Sequence, residues 1–215
     1  MFDLDDTLHD KRSTLQRCGA RLFYEFDLQK YSDKAVFLVK FISENTVIQS
    51  KEVVFNNLAM EFGYETKLEQ KLKDRFDQTF HNDAVPFSGV KEALKYLTKL
   101  KVVIGCVTNG RDFFQRNKIE ALGLTKYFKV IVTSGETGKK KPDHGIFLDA
   151  LSRMESAPEN SVFCGDSLKS DMQPAKDLGF ITVWKSSKIV KPDSVDFTID
   201  KFYNFPSIWQ AITKC

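Results

Sequence analysis

A doubly wound α/β fold, with a parallel sheet and an inserted α-helical segment, is what three features of this 215-residue chain predict. From Pro86 onward, short apolar runs alternate with segments of helical period, the pattern of a parallel sheet covered on both faces. Residues 11–83 instead read as helix after helix. The length exceeds one minimal domain without reaching two full ones, which suits a core carrying an insertion. The expected division is a core of residues 1–10 and 84–215 and a helical insertion of residues 11–83.

In the helical part, Leu15, Cys18, Leu22 and Phe26 follow a helical spacing. The run Val36–Ile42 suits a buried helix or a strand, and the flanking Ser32-Asp33 and Asn45 favour the helix. Phe55, Leu58, Ala59 and Phe62 recur at i, i+3, i+4 and i+7, with Gly63 as a stop. Thr66-Lys67-Leu68-Glu69 reads as a capping box ahead of an apolar face of Leu68, Leu72, Phe76 and Phe80. The aromatic residues Phe37, Phe41, Phe55 and Phe76 read as core. The alternating part begins with a helix over 89–100 that buries Val90, Leu94 and Leu97, then a continuous apolar strand over 102–107. A helix near 111–122, a strand near 129–133, a helix near 143–154 and a strand over 161–164 follow. A helix over 170–178, a strand over 180–184, a short strand over 195–199 and a final helix complete it. In such a sheet, ligands gather at the carboxyl ends of the strands.

Composition narrows the function. An apolar fraction of 42% is enough for a globular core, and a formal charge of +3 with mixed signs carries no nucleic-acid footprint. Cys18, Cys106, Cys164 and Cys215 lie far apart without a C-x-x-C pair, which points to a reducing, cytoplasmic setting and away from structural zinc. No apolar run approaches the roughly 20 residues that span a bilayer, and no signal peptide precedes the first motif, so a membrane partner is not expected.

Four places put chemistry just past an apolar segment. Asp3 and Asp5 form an i, i+2 carboxylate pair before Thr7, and a tight turn after a strand can aim both at one ligand. Carboxylates that close repel, so the pair implies a hard cation such as Mg2+ or a shared proton; the bland alternative is a solvated terminus. Thr108-Asn109-Gly110 follows the strand 102–107 and offers a hydroxyl and an amide to an anion, though the same residues make an ordinary turn. In Gly138–Asp143, Lys141 is fixed by Pro142 at a helix entrance, whereas a lysine run is ordinarily a solvated face. After the strand 161–164 come Gly165-Asp166-Ser167, with Asp171 five residues beyond Asp166. These acids suit a metal and its surroundings, unless Asp166 or Ser167 only caps the next helix. Four coincidental patterns in this order are improbable.

The chain resembles the haloacid dehalogenase-like superfamily over essentially its whole length. Asp3-Leu4-Asp5-Asp6-Thr7 is similar to the first family motif, D-x-D-x-T, Thr108 to the second, Lys141 in Lys-Pro-Asp to the third, and Gly165-Asp166 with Asp171 to the fourth. The helical insertion looks like the cap of the phosphoglycolate phosphatase-like and nucleotidase-like branch. The resemblance implies a Mg2+-dependent phosphatase of a small soluble phosphomonoester, a nucleotide monophosphate or sugar phosphate. Asp3 is implied as nucleophile, forming an aspartyl phosphate, and Asp5 as acid and then base. Thr108 and Lys141 are implied to hold the transferring oxygens, with Asn109 beside them. The metal is implied at Asp3, the Asp5 carbonyl and Asp166, with Asp171 supporting its waters or orienting Lys141. The aspartate at position 5 speaks against a dehalogenase, because halide leaves without a proton. A phosphomutase and a non-catalytic phosphate-binding protein are the alternatives.

Three further expectations follow. Only Met1 and Phe2 precede Asp3, where family members carry a longer central strand, so either the chain is a fragment, its start is misplaced, or the strand is short. Loss of that strand is expected to leave two neighbours with unpaired edges and a gap in the core. Lys11, Arg12 and Arg17 are basic residues at the cap entrance, more ordinarily solvated than substrate-facing. His9, His81 and His144 lack metal spacing and read as structural or surface residues.

Overall fold

The computed structural model describes residues 1–47, 49–188 and 190–214, so Cys215 lies outside the described residues. The chain separates into two compact units, Lys11–Val85 and the combination of Met1–Asp10 with Pro86–Cys215.

The first of these is all helix: α1 (Lys11–Glu25), α2 (Lys34–Thr46), α3 (Lys51–Phe62) and α4 (Thr66–Thr79). The run Val36–Ile42 is helical because Asp33 caps α2, its side chain accepting from the Ala35 amide. Gly63 ends α3 in the left-handed region at φ 70°, which glycine adopts without a Cβ clash. The capping box expected at Thr66 does not form. Glu65 is the N-cap and Thr66 the first helical residue, so the spacing is displaced by one position. Phe37, Phe41, Phe55 and Phe76 are each buried, and Phe41 packs edge-on against both Phe55 and Phe76. Arg12 and Arg17 are exposed.

The second unit carries the sheet. Its helices and strands run α5 (Val90–Lys99), β1 (Gly105–Thr108), α6 (Asp112–Ala121), β2 (Val130–Thr133), α7 (Ser134–Thr137), α8 (His144–Met154) and β3 (Val162–Gly165). After a π-helical turn at Leu168–Met172 come α9 (Gln173–Leu178), β4 (Ile181–Lys185), β5 (Phe197–Ile199) and α10 (Phe205–Ile212). β1 pairs parallel with β2, and β3, β4 and β5 pair parallel in that order.

Met1–Asp3 join these two groups. Phe2 bridges Cys106 of β1 on one side and Cys164 of β3 on the other, both parallel. The Phe2 amide donates to the Gly105 carbonyl and the Asp3 amide to the Cys164 carbonyl. The Val107 and Cys164 amides donate to the carbonyls of Phe2 and Met1. The expected unpaired edges are therefore satisfied along three residues. A cavity of about 280 Å³ lies beside Met1 and Phe2, lined also by Ile104, Met154, Val162 and Trp209 among others. The strand expected over 102–107 starts only at Gly105, where Phe2 and β2 first supply partners; Val103, beside the cavity, is half exposed.

The helix expected at 170–178 also begins differently. Its first turn is the wide π turn, capped by the Ser167 hydroxyl, which accepts from the Ser170 amide. Phe147, Phe163, Phe180 and Ile146 fill the space under the sheet, and Phe147 and Phe163 meet edge to face. Cys18, Cys106 and Cys164 are free and buried. Among the described residues, no helix is long and apolar enough to cross a membrane.

Candidate active site

Asp3, Thr108 and Asp166 come at or just after the carboxyl ends of the central strand segment, β1 and β3, and Lys141 stands shortly before α8. The first turn folds back tightly. The amides of Leu8 and His9 both donate to the Leu4 carbonyl, and Asp6 takes the left-handed conformation at φ 60°. That turn brings Thr7 back under Asp3, where its hydroxyl donates to Asp3 Oδ2 at 3.1 Å and lies 3.3 Å from Asp166 Oδ1.

Lys141 is buried between two acids, its Nζ donating to Asp3 Oδ1 at 2.5 Å and to Asp171 Oδ1 at 2.6 Å. Burial alone works to lower its proton affinity, but Asp3 and Asp171 outweigh that and raise it. Asp171 reaches Lys141 because Gly165 has no side chain. A Cβ there would stand 2.6 Å from the Asp171 carboxyl. The Ser167 amide holds the other Asp171 oxygen at 3.1 Å.

Carboxyl oxygens of Asp3, Asp166 and Asp171 lie within 4.8 Å of one another. Burial, reinforced by the charges of Asp171 and Asp166 and opposed by Lys141, pushes Asp3 up to about 8. Burial, then Asp171 and Asp6, push Asp166 up to about 6. Three crowded carboxyls with one lysine among them are short of positive charge, and an oxygen-liganded dication such as Mg2+ fits that donor set.

Asp5 belongs to a different network. Lys118 donates to both its oxygens, at 2.5 and 2.6 Å, and Oδ1 also accepts from His9 Nδ1 at 2.7 Å. Gln115 Nε2 lies 3.2 Å from Oδ2. Burial works to raise the Asp5 pKa, but Lys118 and His9 outweigh it and hold it well below the usual carboxylate range. The two carboxylates of the motif are thus each held by a different lysine. Thr108 is buried and accepts from Gln115 at 2.6 Å. Asn109 ties its amide to the backbone of Lys141. Its Oδ1 accepts from the Lys141 amide at 2.8 Å and its Nδ2 donates to the Lys141 carbonyl at 3.0 Å.

Residues 1–185 match the family of haloacid dehalogenase-like hydrolases. The chain belongs to this family. A glyceraldehyde 3-phosphate phosphatase of Methanocaldococcus jannaschii is 28% identical over 95% of this chain and 90% of its own length. A ribulose-1,5-bisphosphate 5-phosphatase of Halopiger xanaduensis is 28% identical over 85% and 82%. The crystal structure of a phosphatase of the same family from Thermococcus onnurineus shares the fold with a TM-score of 0.64, at 24% identity over 97% and 95% of the two chains.

Three residues of this hydrolase's site escape a reading of the sequence. His9 reads as a structural or surface residue; it is fully buried, and its tie to the Asp5 carboxyl is what the sequence does not signal. Gln115 and Lys118 sit on α6 among charged neighbours, where the i, i+3 spacing alone looks like a solvated face. Their burial, at 2% and 3% exposed, is what marks them.

Proposed function

We propose that this hydrolase is a Mg2+-dependent phosphatase of small sugar phosphates that works through an aspartyl phosphate. The observation carrying this reading is Asp3 itself, a buried carboxylate at the end of the central strand segment, held by Lys141 beside Asp166 and Asp171. A binding protein needs no carboxylate aimed from so crowded a site. The names of the two relatives support a triose or pentose phosphate as substrate.

In the first step an Asp3 oxygen attacks phosphorus, the phosphorus–oxygen bond to the sugar breaks, and Asp5, which takes up a proton when the substrate's phosphate charge offsets those of Lys118 and His9, passes that proton to the departing oxygen. In the second, water attacks the phosphorus of the aspartyl phosphate, its proton passes to Asp5, and the Asp3 carboxylate is released. Lys141 and Thr108 stabilise charge on the transferring oxygens. Asp3, the Asp5 carbonyl and Asp166 would hold Mg2+, which supplies charge neutralisation at the phosphoryl group. Asp171 orients Lys141. The three buried free thiols support a reducing, cytoplasmic setting.

The test is phosphate release from glyceraldehyde 3-phosphate, ribulose 1,5-bisphosphate and phosphoglycolate, in Mg2+ and in EDTA. Release that needs Mg2+ and disappears in Asp3→Asn is expected. A folded protein that releases phosphate from none of them would refute the reading.

A further inference from the structure

We propose that Lys118, assisted by Gln115, is a positioning residue for Asp5, and that departure of the leaving group depends on it. This rests on the phosphatase reading above. Lys118 is 3% exposed, yet its charge has a partner in Asp5, whose side chain remains 30% exposed. The lysine therefore stands behind the carboxylate and leaves part of it open. Both Asp5 oxygens are engaged by the one ammonium, which fixes their place, while His9 on Oδ1 and Gln115 on Oδ2 set the plane of the carboxyl group. A buried ion pair is a poor way to gain stability alone, since an apolar pair of similar volume commonly serves as well.

Gln115 links this pair to the rest of the site. One turn before Lys118 on α6, its Nε2 lies within hydrogen-bond reach of Asp5 Oδ2, the Thr108 hydroxyl at 2.6 Å and the Asn109 carbonyl at 2.7 Å. The Phe114 ring lies 5.5 Å from the Lys118 ammonium. One face of α6 thus registers Asp5 against Thr108, while Lys141 registers Asp3. Catalysis by a proton donor depends on its placement, so loss of Lys118, which holds Asp5, acts on proton transfer, whereas loss of Gln115 also loosens Thr108.

The decisive comparison uses kcat/KM, which reports the chemistry through departure of the leaving group. Glyceraldehyde 3-phosphate releases glyceraldehyde as an alkoxide that needs a proton, whereas p-nitrophenyl phosphate releases a stable p-nitrophenolate that does not. Lys118→Met is expected to lower kcat/KM about 100-fold for the sugar phosphate and less than about 5-fold for the aryl phosphate. In an Asp5→Asn background the same change should add less than about 2-fold. Gln115→Met, a milder change, should show the same leaving-group bias at about 5-fold, and it carries the test if Lys118→Met melts early. Equal losses on both substrates, or losses that add to Asp5→Asn, would mean a merely structural pair and overturn the proposal. Wild type active and sensitive to Asp5→Asn, but indifferent to Lys118→Met and Gln115→Met, would overturn it alone. Wild type inactive on p-nitrophenyl phosphate and on all three phosphate esters named above would overturn the phosphatase reading and this inference with it, and activity on another of the three moves the comparison to that substrate.

Discussion

Asp3 and Asp5 are two residues apart, yet the structure treats them oppositely. Burial, reinforced by neighbouring acids, pushes Asp3 toward protonation, whereas Lys118 and His9 hold Asp5 ionised in the free protein. Asp3→Asn removes the nucleophile, and steady-state phosphate release should fall by at least about 1,000-fold while circular dichroism stays native. Gly165→Ala tests a subtler point. The added methyl must displace the Asp171 carboxyl, 2.6 Å away, and through it Lys141. A loss of kcat of about 10- to 100-fold is expected, and unchanged kinetics would show that Asp171 can move freely. At this scale the motif positions Asp3, Lys141 and Asp171 could be read directly. Lys118 and His9 could not, because a lysine on a polar helix and a lone histidine look alike whether buried or exposed.

Elements decide how those residues are held. The loop between β1 and α6 is tied to the Lys141 backbone by both ends of the Asn109 amide. Asn109→Ala removes both bonds and should destabilise by about 1–3 kcal/mol, read by urea unfolding, with a rise in KM as Lys141 loosens. In the helical unit, Phe41→Ala opens a cavity among Phe37, Phe55 and Phe76 and should cost about 3–5 kcal/mol by the same measurement. Helix periodicity and strand runs were legible because one face of each element is apolar. Boundaries were less so. The start of β1 depends on where Phe2 and β2 reach, and the π turn at Leu168–Met172 depends on seating Asp171.

For the whole molecule, the acid cluster sets a pH dependence. Folding raises the pKa of Asp166 to about 6 and of Asp3 to about 8, so the folded state binds protons more tightly than the unfolded. In EDTA, stability should therefore fall as pH rises from about 4 to about 6. Between about 6 and 8 the fall continues from Asp3. Mg2+ competes with protons for these carboxyls, so it should raise Tm more at pH 8 than at pH 5 in scanning calorimetry. Equal gains at both pH values would place the cation elsewhere.

By itself the sequence determined the order of elements, the alternation that makes a parallel sheet, and the four short motifs, since hydrophobic period and residue type are local properties. Tertiary structure alone decided that Met1–Asp3 hold the centre of the sheet through bonds on both sides. It also decided that the two aspartates of one motif answer to different lysines. Both outcomes arise from groups more than 100 residues apart meeting in space, which no local pattern encodes.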